Sequence, residues 1–386
     1  MFVDIYCTQE KKYNQNTFGD YFVSKRYPQS DRLLAVLSDG LGSGVKANIL
    51  ATMTATMLLK FMEAELNVKK ACEIMMNSLP VCQVRKISYS TFSVMDCNSE
   101  GLTKIVEEGN PEFIWIRDGE VMNPPCEIIT SEKFNKRKMH LYKIQLKEGD
   151  RLIFCSDGVT QAGLGSTTLK LGLRRQGLVE ALLNKLKNNE ECSSRDLSRF
   201  VVDLAKGIEP DRQAKDDISA LCVYCRTPRK AMLFTGPPYH AEKDNYYATV
   251  FKNFEGKKAI SGGTTANLIS RELNLPIETP LAKSFGKLPS ESYMDSVDLI
   301  TEGVLTLTKA YEYLQSPDTM KDNAAGKLVK FFLNSDWILF MVGGKLNQAH
   351  YDPSLPIEIE LRKNIIKKIA KILEEKYIKK VMIQYM

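Results

Sequence analysis

Leu33-Leu34-Ala35-Val36-Leu37-Ser38-Asp39-Gly40-Leu41-Gly42-Ser43-Gly44 is a short apolar strand that ends in a carboxylate and runs straight into glycine. A carboxylate at a strand terminus projects from a rigid sheet into a cleft. Three other segments share this plan: Asp20 opens the run at residues 21–26, Asp157 follows the apolar run 152–155, and Asp216 and Asp217 precede the run 218–223. Converging carboxylates are how proteins hold hard divalent cations such as Mg²⁺ or Mn²⁺. The expectation is a metal-dependent enzyme acting on phosphate.

Two of these carboxylates can be brought together from the sequence alone. Residues 21–26 and 32–38 read as paired strands around a Pro-Gln-Ser turn, so that Asp20 opens a hairpin and Asp39 closes it at the same end. Strands 152–155 and 218–223, if antiparallel neighbours, bring Asp157 to the end that holds Asp216 and Asp217. The sequence does not reveal whether the two pairs meet.

Asp-Gly after a strand is first of all a turn signal. The segment 39–44 carries more glycine than a turn needs, however, and it leads into a helical pattern over residues 45–61. Glycine there permits close backbone approach and could free the Gly40 carbonyl as a further metal ligand.

Residues 1 to about 226 resemble the PPM (PP2C-type) serine/threonine phosphatases, and within them the bacterial SpoIIE-like branch. The pieces that carry the resemblance follow in order: Gly19-Asp20; Ser38-Asp39-Gly40-Leu41-Gly42-Ser43-Gly44; Glu108-Gly109-Asn110-Pro111, followed by Asp118-Gly119; the stretch from Leu146 through Asp157-Gly158-Val159-Thr160; and Asp216-Asp217-Ile218-Ser219. The resemblance implies an α+β fold, a PP2C-like β-sandwich flanked by helices in α-β-β-α layers. It also implies two divalent cations, Mn²⁺ or Mg²⁺, at one edge of the sandwich. By motif, Asp39 would bridge both, Asp20 and the Gly40 carbonyl would serve one, and Asp157 and Asp216 the other. Asp39 and Asp157 are thus the candidate catalytic residues, with Asp217 in support.

The implied chemistry is direct hydrolysis of phosphoserine or phosphothreonine by water activated between the cations. The residue supply agrees, because these segments contain none of the three histidines, and Cys155 reads as a buried small hydrophobe. The N-terminal arginine with which many eukaryotic relatives bind phosphate has no counterpart that can be placed here, since Lys25 and Arg26 sit at the hairpin turn. The substrate implied by the branch is a phosphorylated protein, of the anti-sigma-factor antagonist type.

Composition is that of a soluble protein longer than one ordinary core. A net charge of +6 spread over 386 residues, without a dense basic stretch, argues against nucleic acid as a partner. The start shows no leader pattern and no apolar run is long enough to span a bilayer, so the expectation is a cytoplasmic protein that does not enter the membrane. Nine cysteines without zinc-ligand spacing fit a reducing compartment. Cys222 and Cys225, three apart in a strand, point to opposite faces.

The expected domains are 1–228, the phosphatase-like part, and 231–386. In the second, a strand ending at Ser261 meets Gly262-Gly263-Thr264-Thr265 and a helix over 266–273. A further strand leads to Thr301-Glu302-Gly303 and a helix over 304–314, and the run 337–342 stops at Gly343-Gly344. Strand, glycine loop and helix in succession predict a smaller α/β domain with a mainly parallel sheet. Gly262, Gly263, Thr264 and Thr265 are candidates to bind a small anionic ligand at a helix N-terminus; threonine there also reads as a plain N-cap. This part is similar to a C-terminal extension of some SpoIIE-like phosphatases of anaerobic bacteria. Residues 361–386 read as one basic amphipathic helix packed on its own domain.

Two functions follow. One is an active protein phosphatase. The other is a catalytically weak phosphatase fold serving as a regulatory scaffold that binds an anionic metabolite or nucleotide through residues 231–386.

Overall fold

The computed structural model describes residues 1–27, 30–64, 66–78, 90–130, 138–166, 169–278, 293–344 and 355–386. The chain divides into two compact units, Met1–Thr227 and Pro228–Met386.

In chain order the first unit comprises β1 (Phe2–Glu10), β2 (Asp20–Tyr27), β3 (Arg32–Gly40), α1 (Val45–Glu63), α2 (Val68–Ser78), β4 (Ser90–Cys97), β5 (Leu102–Glu108), β6 (Ile114–Arg117), β7 (Glu120–Met122), β8 (Cys126–Thr130), β9 (Lys138–Gln145), β10 (Arg151–Cys155), α3 (Asp157–Thr160), α4 (Arg174–Asn188), α5 (Ser194–Ile208) and β11 (Ile218–Arg226). Six strands form one antiparallel sheet, ordered β2-β3-β4-β5-β9-β8, and five form another, ordered β1-β11-β10-β6-β7.

Strand β3 shows why the sheets stack. Every residue from Leu33 to Ser38 is buried, so its sequence does not alternate. Leu34 and Val36 pack under α1 with Ala55, Leu58 and Met62. By the alternation of the pleat, Leu33, Ala35 and Leu37 face the opposite side, where the second sheet covers them. That second sheet carries α3, α4 and α5 on its own outer face, through Ile153, Val159, Leu178, Leu182, Leu197 and Val201. The result is the α-β-β-α sandwich that the resemblance implies. Cys222 lies in the helix-side cluster, whereas the burial-raised Cys225 thiol neighbours Cys97 of the other sheet, so the two point apart as expected.

The second unit comprises β12 (Lys230–Thr235), α6 (Asp244–Asn253), β13 (Lys257–Ser261), α7 (Gly263–Leu273), β14 (Leu299–Thr301), α8 (Val304–Gln315), α9 (Ala324–Leu333), β15 (Trp337–Val342), α10 (Leu355–Glu375) and β16 (Lys380–Tyr385). Its five strands are all parallel, in the order β14-β13-β12-β15-β16. Helices α6 and α7 cover one face through Met232, Phe234 and Ile260. Helices α8, α9 and α10 cover the other through Ala231, Leu233, Ile338 and Phe340. The strand order reverses direction beside β12, which makes the sheet doubly wound.

One expectation is corrected here. Residues 361–386 are not a single helix. Helix α10 stops at Glu375, Ile378 adopts φ 56, and Lys379 N–H closes the end by donating to Leu373 O at 2.9 Å. The chain then pairs with β15 as strand β16, which puts Val381 in a ladder. Val381 and Ile383 pack against the same core as Ile366 and Leu373. Their period-2 spacing was masked by the helical period that precedes it. Among the described residues no helix is long and apolar enough to cross a membrane.

Candidate metal centre

The β2–β3 ladder sets Asp20 directly opposite Asp39, and the β3–β4 ladder sets Thr91 on the other side of Asp39. In the second sheet β10 and β11 run antiparallel with Cys155 opposite Ala220, so Asp157 and the pair Asp216-Asp217 emerge at one end. Both pairings read from the sequence are therefore present. The sandwich then joins them: Ser219 Oγ on β11 donates to Asp20 Oδ2 at 2.6 Å, although the two residues are 199 positions apart. Gln9 Nε2 donates in turn to Ser219 Oγ at 3.0 Å, and Ser219 N–H donates to Ser156 Oγ at 3.0 Å.

The chain has three Asp-Gly pairs, and they do different jobs. Asp118-Gly119 is a true hairpin turn between β6 and β7, with φ 50 and 77. Gly40 and Gly158 are not in the left-handed region. A Cβ on Gly40 would overlap the backbone of Ala47 in α1, and one on Gly158 would overlap the carbonyl of Asp217. At these two sites glycine is required by close approach, which draws α1 and the β11 lead-in against the carboxylates.

Burial is the largest influence on the shifted carboxylates of this edge. Asp20 is only 2 % exposed, and its carboxyl is raised by burial, against the pull of the Ser219 and Ser156 hydroxyls and with the push of Asp217 and Asp216. Asp39 is raised furthest, by burial and then by the charges of Asp20, Asp157 and Asp216. Asp157 is raised by burial and then by Asp216. Without a cation, burial and these like charges disfavour the ionised form of Asp39.

Each outer carboxylate is turned toward its own donor. Gln161 Nε2 donates to Asp157 Oδ2 at 2.7 Å, and Asp217 N–H to Asp216 Oδ1 at 3.0 Å. Among the described residues no three acidic, histidine or cysteine side chains stand close enough to enclose an ion in their present positions. The donor set nevertheless fits a hard divalent cation, because it is made of oxygen alone and is mutually repelling until neutralised. Asp217, 3 % exposed, takes a supporting place: Lys12 N–H donates to its Oδ1 at 3.2 Å, and Gly19 lies against its other oxygen.

Several residues at this edge were not singled out from the sequence. Thr91, the partner of Asp39, hydrogen-bonds Asn110, which also donates to Ser93 Oγ at 3.0 Å. The Asn-Pro step after Glu108-Gly109 was a signal for it, but nothing local pointed to Ser156 or Gln161. Gly262, Gly263, Thr264 and Thr265 lie in the second unit. There the helix begins at Gly263, earlier than expected, and its N-cap is Gly262 with no side-chain cap. Threonine is not the N-cap. Thr265 Oγ1 instead accepts the Gly236 N–H at 2.8 Å, while Gly263 and Thr264 are exposed.

The layered sandwich with carboxylates at one edge is the architecture that the sequence resemblance implies. Residues 29–226 match the family model of Stage II sporulation protein E, and the chain belongs to the SpoIIE family. The curated Stage II sporulation protein E of Bacillus subtilis (strain 168) is 27% identical over 165 residues, covering 42% of this chain and 19% of that protein; the chain thus spans about a fifth of that relative's length. Among solved structures, the PP2C phosphatase domain with a fragment of the regulatory domain of SpoIIE from Bacillus subtilis gives a TM-score of 0.49 at 20% identity, over 58% of this chain and 62% of that one. RsbX in complex with magnesium gives 0.39 at 20% identity, over 57% and 94%.

Proposed function

We propose that the chain is a metal-dependent protein serine/threonine phosphatase of bacterial signalling. The observation that carries this reading is the cluster of Asp20, Asp39, Asp157 and Asp216 at one sandwich edge, with Asp20 buried, the other three partly buried, and their charges mutually repelling. Four carboxylates kept in this state cost stability, and an idle scaffold has no use for them.

In this reading Asp20, Asp39, the Gly40 carbonyl, Asp157 and Asp216 would hold the two ions. Two divalent cations, Mn²⁺ or Mg²⁺, would when bound lower the pKa of water and neutralise the phosphoryl oxygens. The chain's own residues orient that site. Ser219 fixes Asp20, Gln161 fixes Asp157, and Thr91 with Asn110 braces the strand beside Asp39. Water attacks phosphorus in line, the P–O bond to the serine or threonine oxygen breaks, and that oxygen leaves with a proton. A covalent phosphocysteine is disfavoured, since burial pushes the Cys155 thiol up to about 12.

The substrate we favour is a phosphorylated protein regulator of the anti-sigma-factor antagonist type, a reading that rests on the family resemblance. The second unit we read as ligand-sensing, with Gly262, Gly263, Thr264 and Thr265 as its anion-binding loop. The test is Mn²⁺-dependent hydrolysis of a phosphothreonine peptide and an aryl phosphate by wild type, Asp39→Asn and Asp157→Asn. Loss in both folded variants supports the enzyme. Inactive wild type, or unchanged variants, would move the choice to the scaffold.

A further inference from the structure

The carboxyl edge of the parallel sheet gathers features that a packed core does not need. Helices α7 and α8 both start there from glycine N-caps, Gly262 and Gly303, without a side-chain cap and without an acidic residue in the first turn. The two caps abut: a Cβ on Gly303 would lie 3.9 Å from Gly262 Cα, and Gly262 N–H donates to Thr301 O at 2.8 Å. Two sets of unsatisfied backbone N–H groups and two positive dipole ends therefore open side by side.

An independent feature lies beneath them. Thr235, Ser261 and Thr301 are register partners at the ends of β12, β13 and β14, and all are buried. Ala231 and Leu233 pack on the α8 side, so by strand alternation Thr235 faces that side too. Ser261 Oγ and Thr301 Oγ1 both donate to Glu302 O, at 2.9 and 3.1 Å, at the threshold of α8. Thr235 Oγ1 has no partner although the residue is 0 % exposed, and neither does Thr306 Oγ1 in the first turn of α8. Buried hydroxyls are normally paired, so an unpaired one at the end of β12 and another in the first turn of α8 mark a place where a polar group is expected. The Arg362 guanidinium from α10 stands beside Gly236, the residue after Thr235.

We propose that the crevice between the N-termini of α7 and α8, floored by Thr235 and Thr306, binds the phosphate group of a small phosphorylated ligand. This rests on the reading of Gly262 to Thr265 as an anion-binding loop, and it adds the second helix, the hydroxyl floor and the tetrahedral group. Donors arriving from two helices and a floor suit a tetrahedral dianion better than a flat carboxylate. The crevice lies at the carboxyl ends of the parallel strands, the edge at which doubly wound sheets take ligands, above β13 and β14 and one strand over from the β12–β15 boundary where the order reverses.

The test is calorimetric titration of the full chain with inorganic phosphate and, separately, acetate, with divalent cations chelated so that the phosphatase edge does not hold phosphate. The variants are Thr235→Val and Gly263→Asp. The first is isosteric and removes an unpaired hydroxyl; the second adds a carboxylate in open space at a helix first turn. Thermal melts should therefore show both folded. Saturable phosphate binding that exceeds acetate binding, weakened roughly tenfold by each substitution, is expected. Binding lost in Gly263→Asp but unchanged in Thr235→Val would overturn the crevice and leave the loop reading standing. Acetate binding as tight as phosphate would also overturn it, and the absence of saturable binding would overturn both readings.

Discussion

Asp20 and Asp39 stand opposite one another in the β2–β3 ladder, and the charge of Asp20 is the strongest single influence raising Asp39 after burial itself. Two like charges facing each other across a strand pair destabilise the ladder unless something neutralises them.

Replacing Asp39 should therefore separate stability from function. Asp39→Asn is expected to raise the free energy of unfolding measured in chelator, by an amount on the order of 1–3 kcal/mol and with a higher melting temperature, because burial and repulsion of this carboxylate are relieved. The same variant should lose Mn²⁺-dependent hydrolysis by at least about 100-fold. A variant that melts lower in chelator would contradict the electrostatic account of the cluster.

Cation addition gives a second reading of the same edge. Mn²⁺ or Mg²⁺ in excess should stabilise the wild type by about 2.7 kcal/mol at a hundred times its dissociation constant. Asp157→Asn should lose most of that shift. Differential scanning fluorimetry across a metal titration measures it, and an equal shift in both proteins would remove Asp157 from the ligand set.

The glycines make a third prediction. Gly40→Ala collides with the α1 backbone at Ala47 and should cost roughly 3 kcal/mol or more. Gly119→Ala meets open space, with only its φ of 77 to strain it, and should cost about 1 kcal/mol. Urea melts of the two variants compare them directly; equal losses would mean that Gly40 serves only as a turn.

Glu107 sets a pH dependence of its own, linked to the strand beside Asp39 through Ser93, Asn110 and Thr91. It is 1 % exposed, accepts from Ser93 Oγ and Phe113 N–H, and is pushed by burial from 4.5 to about 8. The folded protein holds this proton longer than the unfolded chain does. Its contribution is fully present below pH 4.5 and declines as pH rises to 8, by about 1.4 kcal/mol per pH unit at most. Glu107→Gln should flatten that slope, matching wild type near pH 5 and exceeding it near pH 8. Parallel slopes for the two proteins would place the titration elsewhere.

The sequence by itself determined what is local. Asp20 and Asp39 share a hairpin end because one turn joins two adjacent strands, and the register follows from their lengths. The parallel character of the second sheet followed from strand, glycine loop and helix in succession, with each strand returning through a helix. The resemblance supplied the motif order and, from it, the layered sandwich. Only the tertiary structure decided what depends on long-range contact. Ser219 reaches Asp20 from 199 residues away, β1 closes on β11 from the far end of the first unit, and β16 is a strand because β15 offers it an open edge. Likewise Gly40 and Gly119 follow the same residue in sequence, and only one has a helix packed against it. A local pattern encodes the conformations a segment can adopt; which neighbour completes its hydrogen bonds and charges is settled when distant segments pack.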